Sequence, residues 1–205
     1  MTPGDAAKRL LDVSLAGGGL VLSAPLWVLF ALLVKLEDGG PVFFRQERVG
    51  WRGRLFLALK FRSMRPDAEA LTGALQAREG DPRVTRVGRW MRATAMDELP
   101  QLWNIFRGDM SFVGPRALRP GEIESEGGAL VALEDVPGFT QRIQVRPGLT
   151  GLAQIYARRD LPRRHKFRYD RVYVRRRSWW LDVRLILLSF WISLLGTWEV
   201  RGRKF

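Results

Sequence analysis

Two adjacent carboxylates, Asp97 and Glu98, lie in the run Arg89-Trp-Met-Arg-Ala-Thr-Ala-Met-Asp-Glu-Leu-Pro-Gln-Leu-Trp-Asn104. If Asp97 caps a helix, Pro100 falls in its first turn, where a proline forfeits no intrahelical hydrogen bond. A carboxylate at a helix N-terminus is stabilised by the positive end of the dipole, so its pKa is expected to fall. Backbone N–H groups at that end also attract phosphate, and Arg89 and Arg92 just upstream add positive charge. An anionic nucleophile beside an anion site suits attack on a phosphate once a divalent cation lowers the repulsion. The plainer alternative is a structural cap followed by an exposed glutamate. A glycosidase pair fits poorly, because neighbouring residues of a helix do not face each other. Downstream, Phe106-Arg-Gly-Asp-Met-Ser-Phe-Val-Gly-Pro-Arg116 carries two Gly, one Pro and two Arg. It reads as an irregular loop facing phosphate, with Asp109 able to help hold a metal or to orient an arginine.

The elements around this cluster follow from pattern. Pro41 to Met64 reads as a β-hairpin, Val42-Phe43-Phe44 and Leu55-Phe56-Leu57 being strand-like and Gly50-Trp51-Arg52-Gly53 the turn. Asp67 to Arg78 is weakly helical, and Gly80-Asp81-Pro82 interrupts the chain. A helix is expected through Gln101 to Phe106. Glu122 to Glu134 is acidic and expected at the surface. Residues 145–151 read as a loop, and Pro162 to Arg177 as a basic helix.

Composition narrows the chemistry. The chain has 205 residues, 46% hydrophobic, with a formal net charge of +13, no Cys and a single His. A thiolate metal site, a disulfide framework and a poly-His site are therefore excluded, and a Ser-His-Asp triad is disfavoured. The positive charge seeks nucleic acid, anionic lipid or a phosphorylated substrate, and the predominance of Arg over Lys suits bidentate phosphate binding.

Residues Leu10 to Leu36 contain no charge between Val13 and Val34 and are as long as a bilayer-spanning helix. No small-residue cleavage site follows, which argues against a removed signal peptide. Two readings stand: one transmembrane helix, or a segment that enters and leaves on one side. Pro25 at its middle would kink a helix, Ser23 could bond a freed carbonyl, and basic residues at both ends favour a cytoplasmic position for each. A second stretch, Ser178 to Gly196, is interrupted by Asp182 and Arg184 and is rich in Trp. It reads as an amphipathic helix in the membrane interface, with an ordinary core helix as the alternative. The expected organisation is a membrane segment at residues 1–38, a catalytic domain at 39–177, and an interfacial helix and tail at 178–205.

Taken in order, several motifs resemble the bacterial sugar transferase family, the monotopic phosphoglycosyl transferases, in their minimal form. They are Lys8-Arg9-Leu-Leu-Asp12, Gly40-Pro-Val-Phe-Phe-Arg-Gln-Glu-Arg-Val-Gly50, Leu59-Lys-Phe-Arg-Ser-Met64, Asp97-Glu-Leu-Pro-Gln-Leu-Trp-Asn104, Gly108-Asp-Met-Ser-Phe-Val-Gly-Pro-Arg116 and Arg146-Pro-Gly-Leu-Thr-Gly-Leu-Ala-Gln154. Ala24, Ala117 and Leu152 depart from the family's usual residues.

The resemblance implies an α+β monotopic membrane protein. It would have a re-entrant helix-break-helix kinked at Ser23 and Pro25, a small cytosolic domain with a β-hairpin, and an interfacial C-terminal helix. It implies an enzyme of the bacterial inner membrane, its domain on the cytoplasmic face, that initiates polysaccharide or glycoconjugate assembly. Sugar 1-phosphate would pass from a UDP-sugar to a polyprenyl phosphate such as undecaprenyl phosphate, with release of UMP. Asp97 would form a covalent phosphosugar, Glu98 would assist, and Mg²⁺ would be held by Asp97 and Glu98. Lys60, Arg89, Arg92, Asp109 and Arg116 would bind or position substrate. No nucleic-acid partner is implied. Composition alone also allows a membrane-anchored module that binds nucleic acid or anionic lipid, and the dyad alone allows a hydrolase.

Overall fold

The computed structural model describes residues 3–68, 80–126, 129–158 and 161–198. The weakly helical expectation for Asp67 to Arg78 lies almost wholly outside them. The chain is α+β, with seven α-helices and three two-stranded sheets among the described residues.

The apolar N-terminal segment forms one helix, α1 (Pro3–Asp38), with Pro25 inside it. The expected helix-break-helix is absent. Pro25 is exposed and removes a single N–H, and the i→i−4 ladder on either side carries the helix through. The Ser23 hydroxyl accepts a hydrogen bond from the Trp27 indole at 3.0 Å. At 1.5 Å per residue α1 is about 54 Å long, and it touches the rest of the protein from end to end. Asp5 pairs with Arg177 at 3.1 Å, and Lys8 with Asp182 at 2.6 Å. Arg9 donates to the carbonyls of Ile105 and Phe106, and the buried Asp12 accepts from the Ser111 hydroxyl and the Phe112 N–H. Gly19 lies under Leu102, where a Cβ would come within 3.1 Å of its methyl carbon. At the far end Phe30 packs on Phe61, and Asp38 pairs with Arg62. The opposite face, including Val21, Leu22, Val28 and Leu32, is exposed.

The expected hairpin is present. Strands β1 (Phe43–Val49) and β2 (Leu55–Phe61) pair antiparallel, with Phe44 opposite Lys60 and Val49 opposite Leu55. The turn between them holds Arg52 and Gly53 at positive φ. Helix α2 (Arg86–Ala93) begins where the Thr85 side chain caps Gly88 N–H at 2.9 Å. The Glu37 carboxylate of α1 accepts from the next free donors, Arg86 and Val87, so one helix end satisfies another.

The dyad region differs from expectation. α2 stops at Ala93, Ala95 takes a left-handed conformation at φ 58°, and Met96–Glu98 make a single 3₁₀ turn before α3 (Gln101–Arg107). Asp97 therefore stands in a turn between two helices and is not the cap of α3. Asn104 on α3 accepts from Leu59 N–H and donates to the Leu57 carbonyl, which fixes α3 against β2.

The run from Gly108 to Arg116, expected to be irregular, contains β3 (Ser111–Val113), and the expected loop at 145–151 contains β6 (Gly148–Thr150). They pair in parallel, Ser111 opposite Gly148 and Val113 opposite Thr150. Such pairing joins segments far apart in sequence, so neither shows a strand signal alone. Gly114 and Gly148 pack backbone on backbone, and a Cβ on either would collide with the other strand. The acidic stretch forms the hairpin β4 (Ile123–Glu126) and β5 (Ala129–Ala132), followed by the buried Leu133. Short helices α4 (Phe139–Arg142) and α5 (Leu152–Tyr156) precede the basic helix α6 (Arg163–Arg176).

The Trp-rich stretch is helix α7 (Trp179–Leu195), capped by the Ser178 hydroxyl. Its Leu185 and Ile192 are fully buried with Val113, Ile155 and Tyr173 in one core cluster. Trp180, Leu187, Phe190, Trp191 and Leu194 are exposed. Asp182, which looked like an interruption, is buried and accepts from Tyr173 Oη at 2.8 Å as well as from Lys8. The apolar faces of α1 and α7 that meet no protein are the surfaces a lipid phase would cover.

Candidate active site

The 3₁₀ turn, the hairpin and the β3–β6 pair surround a cavity of about 730 Å³, a common size for a small-molecule site. Asp97, Glu98, Lys60, Arg92 and Arg116 all line it. Successive residues of a 3₁₀ turn are about 120° apart, yet both carboxylates of the dyad reach this one cavity. Adjacent in sequence, Asp97 and Glu98 thus share one space.

Glu98 is held by two cations. Lys60 Nζ and Arg116 Nη2, the latter at 3.2 Å, both meet its Oε1. Burial alone would raise the Glu98 pKa, but Lys60 and Arg116 overcome it and bring the carboxyl down to about 2. Asp97, 7% exposed, goes the other way. Burial raises it to about 6 against the pull of Lys60, and the charge of Glu98 adds to the rise. The expected lowering by a helix N-terminus is thus reversed, because removal from water outweighs the local cations. Burial lowers Lys60, with Glu98 and Asp97 opposing, while Glu98 raises Arg116.

Two expected substrate residues lie elsewhere. Arg89 is exposed on α2 and does not line the cavity, because only the C-terminal end of that helix, at Arg92, reaches the dyad. Asp109 follows the left-handed Gly108 and turns back onto α3, where it accepts from Asn104 at 3.2 Å and lies 3.8 Å from Arg107.

Sequence reasoning missed a basic wall. Arg48 lines the cavity and donates to the Ala117 carbonyl. Burial, then Arg116 and Arg119, lower its pKa to about 10. Strand alternation was the available signal: Phe44, Gln46 and Arg48 share one face of β1, and the register sets that face beside Lys60. Arg142, Asp170, Glu122 and Arg163 also line the cavity. Arg142 pairs with Asp170 at 3.1 Å and donates to the Arg116 carbonyl, bracing the arginine that holds Glu98.

The donor set accommodates a divalent cation of the magnesium type, which usually takes one or two carboxylates plus substrate phosphate oxygens. Both cation contacts of Glu98 fall on Oε1. Asp97 is left as a buried carboxylate whose charge is costly, which is where a cation is favoured. Among the described residues no group of three or more His, Cys, Asp or Glu could hold a metal by itself. The site thus needs oxygens from a ligand to complete a coordination shell.

Fold and site together define a class: a protein with exposed apolar helix faces beside a cationic cavity lined by two carboxylates of opposite pKa shift. Residues 4–196 match the family described as bacterial sugar transferase, and the chain belongs to that family. It is 43% identical over 198 residues to a UDP-glucose:undecaprenyl-phosphate glucose-1-phosphate transferase of Caulobacter vibrioides, covering 94% of this chain and 71% of that one. It is also 43% identical over 189 residues to an undecaprenyl-phosphate glucose phosphotransferase of Komagataeibacter xylinus, covering 89% of this chain but 35% of the relative. A putative undecaprenyl-phosphate N-acetylgalactosaminyl 1-phosphate transferase of Bacillus subtilis is 46% identical over 138 residues, 67% of this chain and 73% of that protein. The chain spans less than half the length of some of these relatives, 35% for Komagataeibacter and 43% for a galactosyl transferase of Streptococcus agalactiae.

Proposed function

We propose that this protein transfers a sugar 1-phosphate from a UDP-sugar to a polyprenyl phosphate, releasing UMP, as an initiating step of polysaccharide assembly. The observation that carries the proposal is the asymmetry of the dyad. Glu98 is neutralised by Lys60 and Arg116, whereas Asp97 is buried, has no comparable ion pair among the described residues and faces the cavity. The relatives' names supply the substrate classes.

An Asp97 carboxylate oxygen attacks the phosphorus that bears the sugar. The bond from that phosphorus to the bridging oxygen breaks, and UMP leaves with the electron pair. A phosphate oxygen of the lipid then attacks the same phosphorus, the bond to Asp97 breaks, and the carboxylate is restored. Arg92 and Arg116 bear on the diphosphate charge, and Arg48 extends the cationic wall towards the nucleotide. Lys60 and Arg116 hold Glu98 ionised. Asp97 and Glu98 would hold Mg²⁺ together with substrate phosphate oxygens. The ion would supply charge screening between the carboxylate and the diphosphate. Contact of α1 with one body along its whole length supports one-sided membrane association at the cytoplasmic face of the inner membrane, where nucleotide sugars are made available. A span with its ends on opposite sides would carry the polar body docked along α1, including Asp12 and its partners, into hydrocarbon.

The test is UMP release from a panel of UDP-sugars with undecaprenyl phosphate and Mg²⁺, using wild type and Asp97→Asn. Expected are release by wild type only and a phosphosugar adduct on the Asp97 peptide after reaction without lipid. Release by Asp97→Asn at the wild-type rate would remove Asp97 from the chemistry.

A further inference from the structure

The cavity that contains the dyad has a second wall of opposite character. Ile186, Ser189, Phe190, Ser193, Leu194 and Trp198 of α7 and its C-terminal turn line it. Their spacing of three to four residues places them in one stripe along the helix, about 18 Å from end to end. The stripe is anchored at both ends. The Ser189 hydroxyl bonds Thr150 of β6, and Trp198 N–H donates to the Ala93 carbonyl at 3.2 Å, next to the turn that carries Asp97. Exposure grades along it: Ile186, Ser189 and Ser193 are half-buried, while Phe190 and Leu194 are 65% and 63% exposed. Beyond them lie the exposed Leu187, Trp191 and Leu195 on the outer face of the same helix. The wall therefore runs without a polar interruption larger than a serine hydroxyl from the cationic floor to the surface a membrane would cover.

Resting on the transfer reading above, we infer that this α7 stripe is the track along which the isoprenoid chain of the acceptor lipid leaves the dyad for the bilayer. A ligand suited to it must carry an anionic head for Arg92, Arg116 and Lys60 and, joined directly to it, a long apolar chain. A polyprenyl phosphate has that polarity from end to end. A nucleotide sugar is polar throughout and matches the polar part of the lining, to which Arg48, Glu122 and Arg163 belong. The lipid phosphate would thus approach Asp97 from the α7 side, and the chain would slide along Phe190 and Leu194 without leaving an apolar surface.

The test is photo-crosslinking of the full-length protein, in vesicles of phosphatidylethanolamine and phosphatidylglycerol, with a polyprenyl phosphate bearing a diazirine near its phosphate end. Expected is label on the α7 peptide containing Phe190 and Leu194, competed by unlabelled polyprenyl phosphate. Label confined to the outer face of α1, or label on α7 that unlabelled polyprenyl phosphate does not compete, overturns the inference. This readout does not need turnover, so α7 labelling without UMP release would uphold the track and sink the transfer reading. Kinetics supply the second arm. Phe190→Ser with Leu194→Ser should raise KM for undecaprenyl phosphate about tenfold, with little change for citronellyl phosphate or for the UDP-sugar. Leu187→Ser, on the outer face, should leave the undecaprenyl phosphate KM in place. Equal effects on long and short lipids, or the same effect from Leu187→Ser, would overturn the track.

Discussion

At the scale of single residues, the site turns on how burial and ion pairing divide two adjacent carboxylates. Asp97 has its pKa raised from 3.8 to about 6. A carboxyl raised in the folded state stabilises the fold at low pH, and that contribution is lost as pH climbs through 4 to 6. At pH 7 the ionised Asp97 therefore costs up to about 3 kcal/mol. Asp97→Asn should unfold a few degrees higher than wild type at pH 7 in a detergent-solubilised thermal melt, and the gain should vanish near pH 4. Glu98 has the opposite sign. Its pKa of about 2 lies below the ordinary 4.5, so its stabilisation is complete above pH 4.5 and is lost as pH falls towards 2. Glu98→Gln should lower stability at pH 7 by about 3 kcal/mol, because Lys60 and Arg116 lose their partner. Both melts belong in metal-free buffer, because a cation held by the two carboxylates would pull their pKa values down.

At the scale of elements, polar clasps join helices whose other faces are apolar. Lys8 of α1, Tyr173 of α6 and Asp182 of α7 meet at the Asp182 carboxylate, 3% exposed, while Asp12 ties α1 to β3. Burial and the Asp182 charge push the Tyr173 phenol far above its usual range, so it remains a neutral donor. Asp182→Ala should cost about 2 kcal/mol, because it takes away the carboxylate shared by the partly exposed Lys8 and the buried Tyr173 hydroxyl, which keeps only the Val113 carbonyl as acceptor. Denaturant unfolding in detergent would measure it. The motif Lys8-Arg9-Leu-Leu-Asp12 thus has a structural account: its three charged residues meet α7, the C-terminal end of α3 and β3 in turn.

At the scale of the whole molecule, α1 and α7 form an apolar exterior with a cationic cavity opening beside it. The chain has no Cys, so single-cysteine variants report topology cleanly. Ala6→Cys and Arg45→Cys, exposed on either side of the apolar segment, should both react with an impermeant maleimide from the cytoplasmic side in inverted membrane vesicles. Reaction of one from each side would establish a span and overturn one-sided association.

Local pattern made much of this protein legible. Short apolar runs on either side of the Gly50–Gly53 turn marked the β1–β2 hairpin, the uncharged run marked α1, the Arg- and Trp-rich tail marked α6 and α7, and the ordered motifs marked the family. These signals lie within short windows, where neighbouring residues set conformation or the chemical pairing is adjacent in sequence. What stayed hidden needed residues far apart. The parallel β3–β6 pair joins Ser111 to Gly148, and the basic wall draws Arg48, Arg142 and Arg163 from three separate elements. Pro25 signalled a break, yet helix hydrogen bonds on both sides and docking along the body kept α1 whole. The sequence by itself singled out the adjacent carboxylates as candidates for chemistry. Only the tertiary structure decided that Asp97 is raised and Glu98 lowered, because a pKa depends on water excluded and charges gathered by the entire fold.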